Sequence, residues 1–433
     1  MVKVPRILAF DSTIPFFRQG YEFISNQCQA LNTDIFETRL LLFKATCMKG
    51  EAAARIFYDN KRFQRQGAMP GRGRATLVGR TTVQNLDSSV HRNRKAMLMS
   101  IMGPDAAQQL VEMMSDQWRS QMSHWAQKDT IQLFYEASEV LCRTVCAWAG
   151  VPLSEAEVGA VTRDFMAVID SPVGLGWRHW KGRLARSRLD RWLGDLIEAV
   201  RAQRLQVAKG CALDVIAQHR GPNGERLEAY SAGAEELNNV LRPTIAIARY
   251  MVFLAHALHE NPSYQESLRS GSEEDLTCFV QEVRRLYPFF PVVMAITKQS
   301  FDWRGHHFPK GRWVLLDLYG TNRDSQSWQD PNRFWPERFR DWDGNAFSLI
   351  PQGGGNHYQH HRCAGEWITI ALMREALRLL VREMDYDVPP QDLRIDKSRM
   401  PAIPASRFII GNIRERRAAA PTPARRKQAA AAH

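Results

Sequence analysis

A chain of 433 residues with 44% hydrophobic content has room for one large domain or several average ones around a sizeable core. Its formal net charge is +12, but the C-terminal stretch RERRAAAPTPARRK holds much of the excess, so the remainder is only mildly basic and no nucleic-acid partner is expected. Seven cysteines, widely spaced and without a CxxC pair, argue against a disulfide framework. With no apolar run long enough for a membrane span and no signal peptide in MVKVPRILAFDST, a cytoplasmic location is expected.

From Tyr21 to about Gln281 most of the chain reads as helices joined by short polar loops; AAQQLVEMMSDQWRSQMSHWAQ, for example, places apolar residues three and four apart. Within EELNNVLRPTIAIARYMVFLAHALHENP a single long apolar helix is predicted, with Arg242 and Pro243 at its middle. Proline removes a backbone donor and crowds the carbonyl of Asn239, a penalty of about 3 kcal/mol or more in a helix interior. A buried guanidinium needs a charged or strongly hydrogen-bonding partner. Two local rules broken side by side mark a strained or functional place, the plain alternative being a kinked surface helix with a solvated arginine.

Further along, Glu282 and Arg285 in QEVRRLYP share a helix face. After RRLYPFFPVVMAITKQ the texture changes, and DWRGHHFPKGRWVLLDLYG reads as small strands and hairpins. FWPERF then offers Arg338 as a second guanidinium for the Glu282–Arg285 pair. Helix returns at AGEWITIALMREALRLLVREM. With no repeat and no clean linker, residues 1–415 read as one large domain, mainly α with a minor β part, and residues 416–433 as a basic Ala/Pro-rich tail expected to be disordered.

The segment PQGGGNHYQHHRCAGEW carries the strongest chemical signal. Gly353 to Gly355 free the backbone for a tight loop, and Cys363 stands just before a predicted helix start, where terminal amides favour a thiolate. A thiolate so placed is a soft metal ligand. From the residues alone three readings stay open: haem iron with one axial thiolate, zinc recruiting His357, His360 and His361, or a buried structural cysteine.

Glu-x-x-Arg, Pro-Glu-Arg-Phe and a Gly-rich loop with one cysteine before a helix, in this order, resemble the signatures of the cytochrome P450 superfamily. FVQEVRR, VLLDLYG, IPQGGG and HRC-x-GE narrow the resemblance, over about residues 15 to 415, to the bacterial fatty-acid peroxygenase branch. VQNLD, WAGVPL, NVLRPTIAIA, YPFFP and RCAGEW are similar to the type that hydroxylates long-chain fatty acids at the α carbon. The cysteine loop is stretched relative to the superfamily pattern, as in that branch, and Ala364 stands where the branch commonly has proline.

The resemblance implies the cytochrome P450 fold, haem b with Cys363 as proximal ligand, and a structural triad of Glu282, Arg285 and Arg338. It places Arg242 and Pro243 where ordinary members carry an acid and an alcohol that relay protons. Arginine is a poor proton shuttle but holds a carboxylate with two parallel hydrogen bonds. The implied chemistry is therefore hydroxylation by hydrogen peroxide, with the carboxylate of the fatty acid as acid–base group and no redox partner. Gln84 matches a distal position where decarboxylating relatives tend to carry histidine. His91, Lys95, Arg62, Arg65 and His361 are implied at the haem propionates, and Leu77, Val78, Val173, Phe289, Phe290 and Val292 along the substrate channel. Rival readings are a β-hydroxylase or alkene-forming decarboxylase on the same machinery, and a non-catalytic haem or fatty-acid-binding sensor.

Overall fold

IFETRL and FKATCM form two strands, β1 (Ile35–Leu40) and β2 (Phe43–Met48), paired antiparallel through a two-residue turn. The computed structural model describes residues 4–7, 9–171 and 176–416, with Arg72 described by its backbone alone. With β3 (Phe63–Gln64), β4 (Val292–Thr297) and β5 (Trp313–Asp317) they make a five-stranded sheet of order β1-β2-β5-β4-β3. Only the β2–β5 pairing is parallel. The helical reading of Tyr21 to Gln281 is corrected here: it passes over β1 to β3 and over strand Thr130–Gln132. The strands are short, and the turn between β1 and β2 is Leu41–Leu42, which lacks the Asn or Gly that marks a hairpin. Strands and hairpins do follow the helices, as the texture change predicts: Phe301–Trp303 pairs with His306–Phe308, and Met384–Asp387 joins Ile409–Glu415.

The helical body consists chiefly of α1 (Thr13–Gln19), α2 (Ser88–Ile101), α3 (Pro104–Trp125), α4 (Leu133–Ala149), α5 (Glu155–Asp170), α6 (Trp177–Arg201), α7 (Ala234–Ala246), α8 (Ala248–Glu260), α9 (Glu273–Leu286) and α10 (Glu366–Arg378). Apolar residues three and four apart turn one face of each long helix inward. Trp118, Trp125, Leu141, Phe253, Phe279 and Leu372 meet in one large core. α5 and α9 start on capping boxes, Ser154 with Glu157 and Ser272 with Asp275.

The predicted single helix around Arg242 is two consecutive helices. α7 runs through Pro243 to Ala246, Ile247 turns on a bond from its N–H to Thr244 O at 3.1 Å, and α8 follows. Pro243 cannot donate to the carbonyl of Asn239, so this stretch is loosened where the chemistry was expected. α7 and α8 are buried almost throughout and cross the middle of the body.

Candidate active site

The cysteine loop is shaped by Gly353 and Gly355 at φ +93° and +82°, a region that residues with a Cβ avoid. Cys363 N–H donates to Gln352 O at 3.1 Å, and Gln352 Nε2 lies 3.8 Å from Sγ. Burial pushes the Cys363 thiol up, and the Lys95 ammonium opposes that. One turn on, the buried Glu366 carboxylate is held by Arg284, by Arg362 Nε at 2.5 Å and by His357 Nε2 at 2.9 Å. Burial pushes its carboxyl up, but those three cationic or donating groups overcome it and hold the pKa well below the usual carboxylate range. Sequence reasoning missed this knot. The only signal was a second arginine, Arg284, beside Arg285.

Glu282, Arg285 and Arg338 meet as expected. Arg285 donates from Nε and Nη2 to the two Glu282 oxygens at 2.7 and 2.8 Å, and Arg338 Nε lies 3.4 Å from Glu282 Oε2. Trp335 N–H also donates to Glu282 at 2.8 Å, so the triad ties α9 to the irregular stretch around residues 329–338.

Four of the five residues expected at propionates gather on the other side of the cysteine loop. The His91 and His361 rings lie 4.0 Å apart, His361 Nε2 is 3.6 Å from Asp87 Oδ1, and Asp87 accepts from Arg65 N–H at 3.0 Å. Arg65 packs its guanidinium over the Phe57 ring at 4.2 Å. Lys95 donates to Arg362 O. Burial pushes Arg65 down to about 10, His91 to about 4 and Lys95 to about 8, and the Lys95 ammonium adds to the fall at His91. Arg62 is not brought there: it pairs with Asp59 at 3.1 Å and lies over the Phe301 ring, at the partly exposed rim of the sheet. The zinc alternative loses its ligand set. His357 turns to Glu366, His360 Nδ1 accepts from Asn356 N–H at 2.8 Å, and His361 faces His91. Among the described residues no three His, Cys, Asp or Glu are placed to hold a metal ion together.

On α7, Arg242 is 5% exposed. Its Nη1 donates to Leu77 O and its Nη2 to Asn239 Oδ1 at 3.3 Å. Gln84 Nε2 donates to the same Asn239 oxygen at 2.6 Å, so one acceptor joins Gln84 to Arg242. Asn239 in turn donates to Glu236 at 3.1 Å, whose other oxygen takes Arg94 at 3.0 Å and Val83 N–H at 2.7 Å. Burial, and then the nearby Arg186, push the Arg242 guanidinium down to about 9. No carboxylate of the described residues lies within ion-pair distance of it; both of its bonds go to neutral oxygens. Asn239, Glu236, Arg94 and Arg186 were not anticipated from sequence, because buried polar residues from three separate segments meet only in the fold.

Of the expected channel residues, Leu77 and Val78 lie in a π-type turn, Arg74–Val78, and Leu77 meets Arg242 through its carbonyl. Phe289 stacks on Tyr250 at 4.1 Å, Phe290 packs edge-on against Phe289 at 5.0 Å and is half exposed, and Val292 opens β4. Val173 lies outside the described residues.

The sequence profile of the Cytochrome P450 family matches residues 276–409. Cytochrome P450SP alpha (CYP152B1) in complex with (R)-ibuprophen is similar at 47% identity over 93% of this chain and 99% of that one, with a TM-score of 0.91. This chain belongs to the cytochrome P450 family. Cytochrome P450EX alpha (CYP152N1) with myristic acid is 41% identical over 95% of this P450 and 99% of that chain, TM-score 0.92. A variant of cytochrome P450 OleT in complex with arachidonic acid is 34% identical over 96% and 100%, TM-score 0.94. Among curated proteins, cytochrome P450 71D179 of Thymus vulgaris is 27% identical over 49% of this chain and 47% of that protein, so this P450 spans about half the length of the curated relatives it matches.

The family's cofactor is haem, held by a cysteine thiolate. The donor set here fits it. Cys363 offers one sulfur beside a helix start, and Arg65 Nη1 and the ring nitrogen Nε2 of His91 are buried without a hydrogen-bond partner among the described residues. An unpaired buried donor is costly, and two carboxylates on the cofactor's edge would take both.

Proposed function

We propose that this P450 oxidises long-chain fatty acids with hydrogen peroxide, chiefly by hydroxylation at the α carbon, needs no electron-transfer partner and acts in the cytoplasm. Residues 1–415 form its catalytic domain. The reading is carried by Arg242, a buried guanidinium that among the described residues is bonded to neutral oxygens alone. A carboxylate on a lipophilic molecule supplies the missing charge, and the planar fork can take it with two parallel bonds.

Cys363 would hold the haem, Arg65, His91, His361 and Lys95 would meet its carboxylates, and the Glu282–Arg285–Arg338 triad would brace the surrounding protein. When bound, the haem supplies the iron at which hydrogen peroxide is split. Arg242 fixes the substrate's head group, with Gln84 and Asn239 setting the angle of the guanidinium. Pro243 leaves the carbonyl of Asn239 without its helical partner and loosens α7 at the place the head group must fit. Glu236 does not serve as proton shuttle: both of its oxygens are engaged, with Arg94, Val83 and Asn239. The acid–base group nearest the peroxide is then the substrate's own carboxylate, which passes a proton between the two peroxide oxygens. One oxygen ends on carbon as hydroxyl and the other leaves as water. With the head group tethered and the tail held by Leu77, Val78, Phe289, Phe290 and Val292, only the α and β carbons reach the oxidant, and α is favoured where the anchor is tight.

The test is product analysis with haem-loaded protein, hydrogen peroxide and tetradecanoic acid. A 2-hydroxy acid as main product is expected, none from the methyl ester, and loss of turnover by at least about a hundredfold in Arg242→Ala with the haem absorbance intact. Equal oxidation of acid and ester overturns the anchoring role. A terminal alkene or 3-hydroxy acid as main product overturns the α assignment.

A further inference from the structure

The β1–β2 hairpin turns through Leu41 and Leu42 at φ +51° and +68°. Two central residues in the left-handed region make the geometry for which Asn–Gly is the fitted pair, since a branched side chain there crowds the neighbouring carbonyl. Both positions carry leucine, and their side chains point to solvent: Leu42 is 69% and the next residue, Phe43, 68% exposed. The segment leading into α1 lies against the turn. Leu41 N–H donates to Thr13 Oγ1 at 2.5 Å and Leu42 N–H to Asp11 Oδ2 at 2.8 Å. That segment adds Phe10, 74% exposed, and Ile14, 71% exposed. Five large apolar side chains thus lie exposed at one corner of the sheet, around the turn that joins its edge strand β1 to β2.

The charges beside this corner are arranged as unusually. Arg39 stands directly opposite Lys44 across the two strands, a like-charge pairing that weakens a ladder. Arg39 also lies 5.2 Å from the Phe10 ring centroid. Arg6 runs beside β1 and Arg18 ends α1. The acids nearby are already engaged: Asp11 caps the Thr13 and Leu42 amides, and Glu37 pairs with Arg312 at 3.2 Å. The corner is therefore apolar at its tip and cationic just behind it.

We propose that this corner docks on an anionic phospholipid surface, with Leu41, Leu42, Phe43, Phe10 and Ile14 entering the acyl boundary and Arg39 and Lys44 meeting lipid phosphates. Apolar tips backed by cations are the pattern of reversible interfacial binding, and no helix among the described residues is long and apolar enough to span a bilayer. Lipid removes the exposure of the leucines and phenylalanines and the repulsion between Arg39 and Lys44 together. A second copy of the chain is the poorer occupant, because a two-fold contact would bring two Arg39–Lys44 pairs face to face. The proposal stands apart from the chemistry at Arg242.

Haem-loaded full-length protein is sedimented with sucrose-filled vesicles of phosphatidylcholine alone or mixed equally with phosphatidylglycerol. The expected result is binding to the mixed vesicles and little to phosphatidylcholine. Leu41→Asn with Leu42→Gly installs the pair the turn prefers, so its thermal midpoint should hold or rise while its partition to mixed vesicles falls at least about tenfold. Arg39→Gln with Lys44→Gln should abolish the preference for the anionic vesicles. Turnover of a soluble acid without vesicles should be unchanged in both. Absence of wild-type binding overturns the proposal. So does equal binding by the Asn–Gly variant, which would assign the affinity to the basic tail common to both proteins, and so does a monomer–dimer equilibrium in sedimentation velocity that the Asn–Gly variant abolishes.

Discussion

Asn239 Oδ1 accepts from Gln84 at 2.6 Å and from Arg242 at 3.3 Å, so the orientation of the guanidinium is set by a neutral side chain with no charge of its own to offer. That leaves the positive charge available to a ligand while fixing its direction. Two consequences separate positioning from simple packing. A saturating fatty acid should raise the melting midpoint of the wild type, since ligand at a hundred times its dissociation constant stabilises by about 2.7 kcal/mol; in Arg242→Ala this increment should vanish. Asn239→Ala frees both Gln84 and Arg242, and kcat/KM for tetradecanoic acid should fall about tenfold, mainly through KM, with a broader α to β product ratio. Unchanged KM and product ratio in Asn239→Ala, read by steady-state kinetics and product chromatography, would show that Arg242 orients without it.

At the scale of the element, α7 and α8 show where sequence reading succeeds and where it stops. The Arg242–Pro243 pair stood out because each residue breaks a helix rule, and the structure puts the loosened stretch there, resolved as two helices at Ile247. Cys363, the triad and the basic cluster were named through the family resemblance, which short segments of the sequence carry. The contacts of Arg94 and of Leu77 O with Glu236, Asn239 and Arg242 on α7 were not, because these partners come from separate segments and only packing makes them neighbours. Strands β1 and β2 were missed because Leu41–Leu42 carries none of the usual turn residues, and Arg62 was misplaced because two arginines three apart in KRFQRQ diverge once β3 begins between them. Pro243 offers the test at this scale. Pro243→Ala restores a donor to Asn239 O and should stabilise the protein by up to about 3 kcal/mol in urea unfolding. Closing that bond tightens α7 beside Arg242 and its contact with Leu77, so turnover should fall severalfold while stability rises. A variant that gains stability and keeps full activity would make the proline a neutral feature of the helix.

Across the whole molecule, Glu282 joins the helical body to the irregular stretch that leads to the cysteine loop. It is fully buried, holds Arg285 with two bonds, lies near Arg338 and accepts Trp335 N–H. Arg285 also donates to the carbonyls of Asn322 and Pro331 at 3.0 and 2.7 Å, so one ion pair gathers α9, the segment after β5 and the stretch around residue 331. Breaking a buried pair by removing one partner costs about 3–5 kcal/mol, because the other charge is left uncompensated. Glu282→Gln keeps the shape and an acceptor oxygen but removes the charge, so the loss should appear in urea unfolding at that order. The cysteine loop reaches its place through the same stretch, so the fraction of protein that retains haem, read as the ratio of haem to protein absorbance, should fall in step with stability. Turnover per bound haem should stay near the wild-type value, because Glu282 lies on the supporting side and touches neither Arg242 nor its partners. Loss of turnover per haem with stability intact would move Glu282 from bracing the fold into the chemistry; full haem retention together with full stability would show that Arg285 is satisfied by the backbone carbonyls alone.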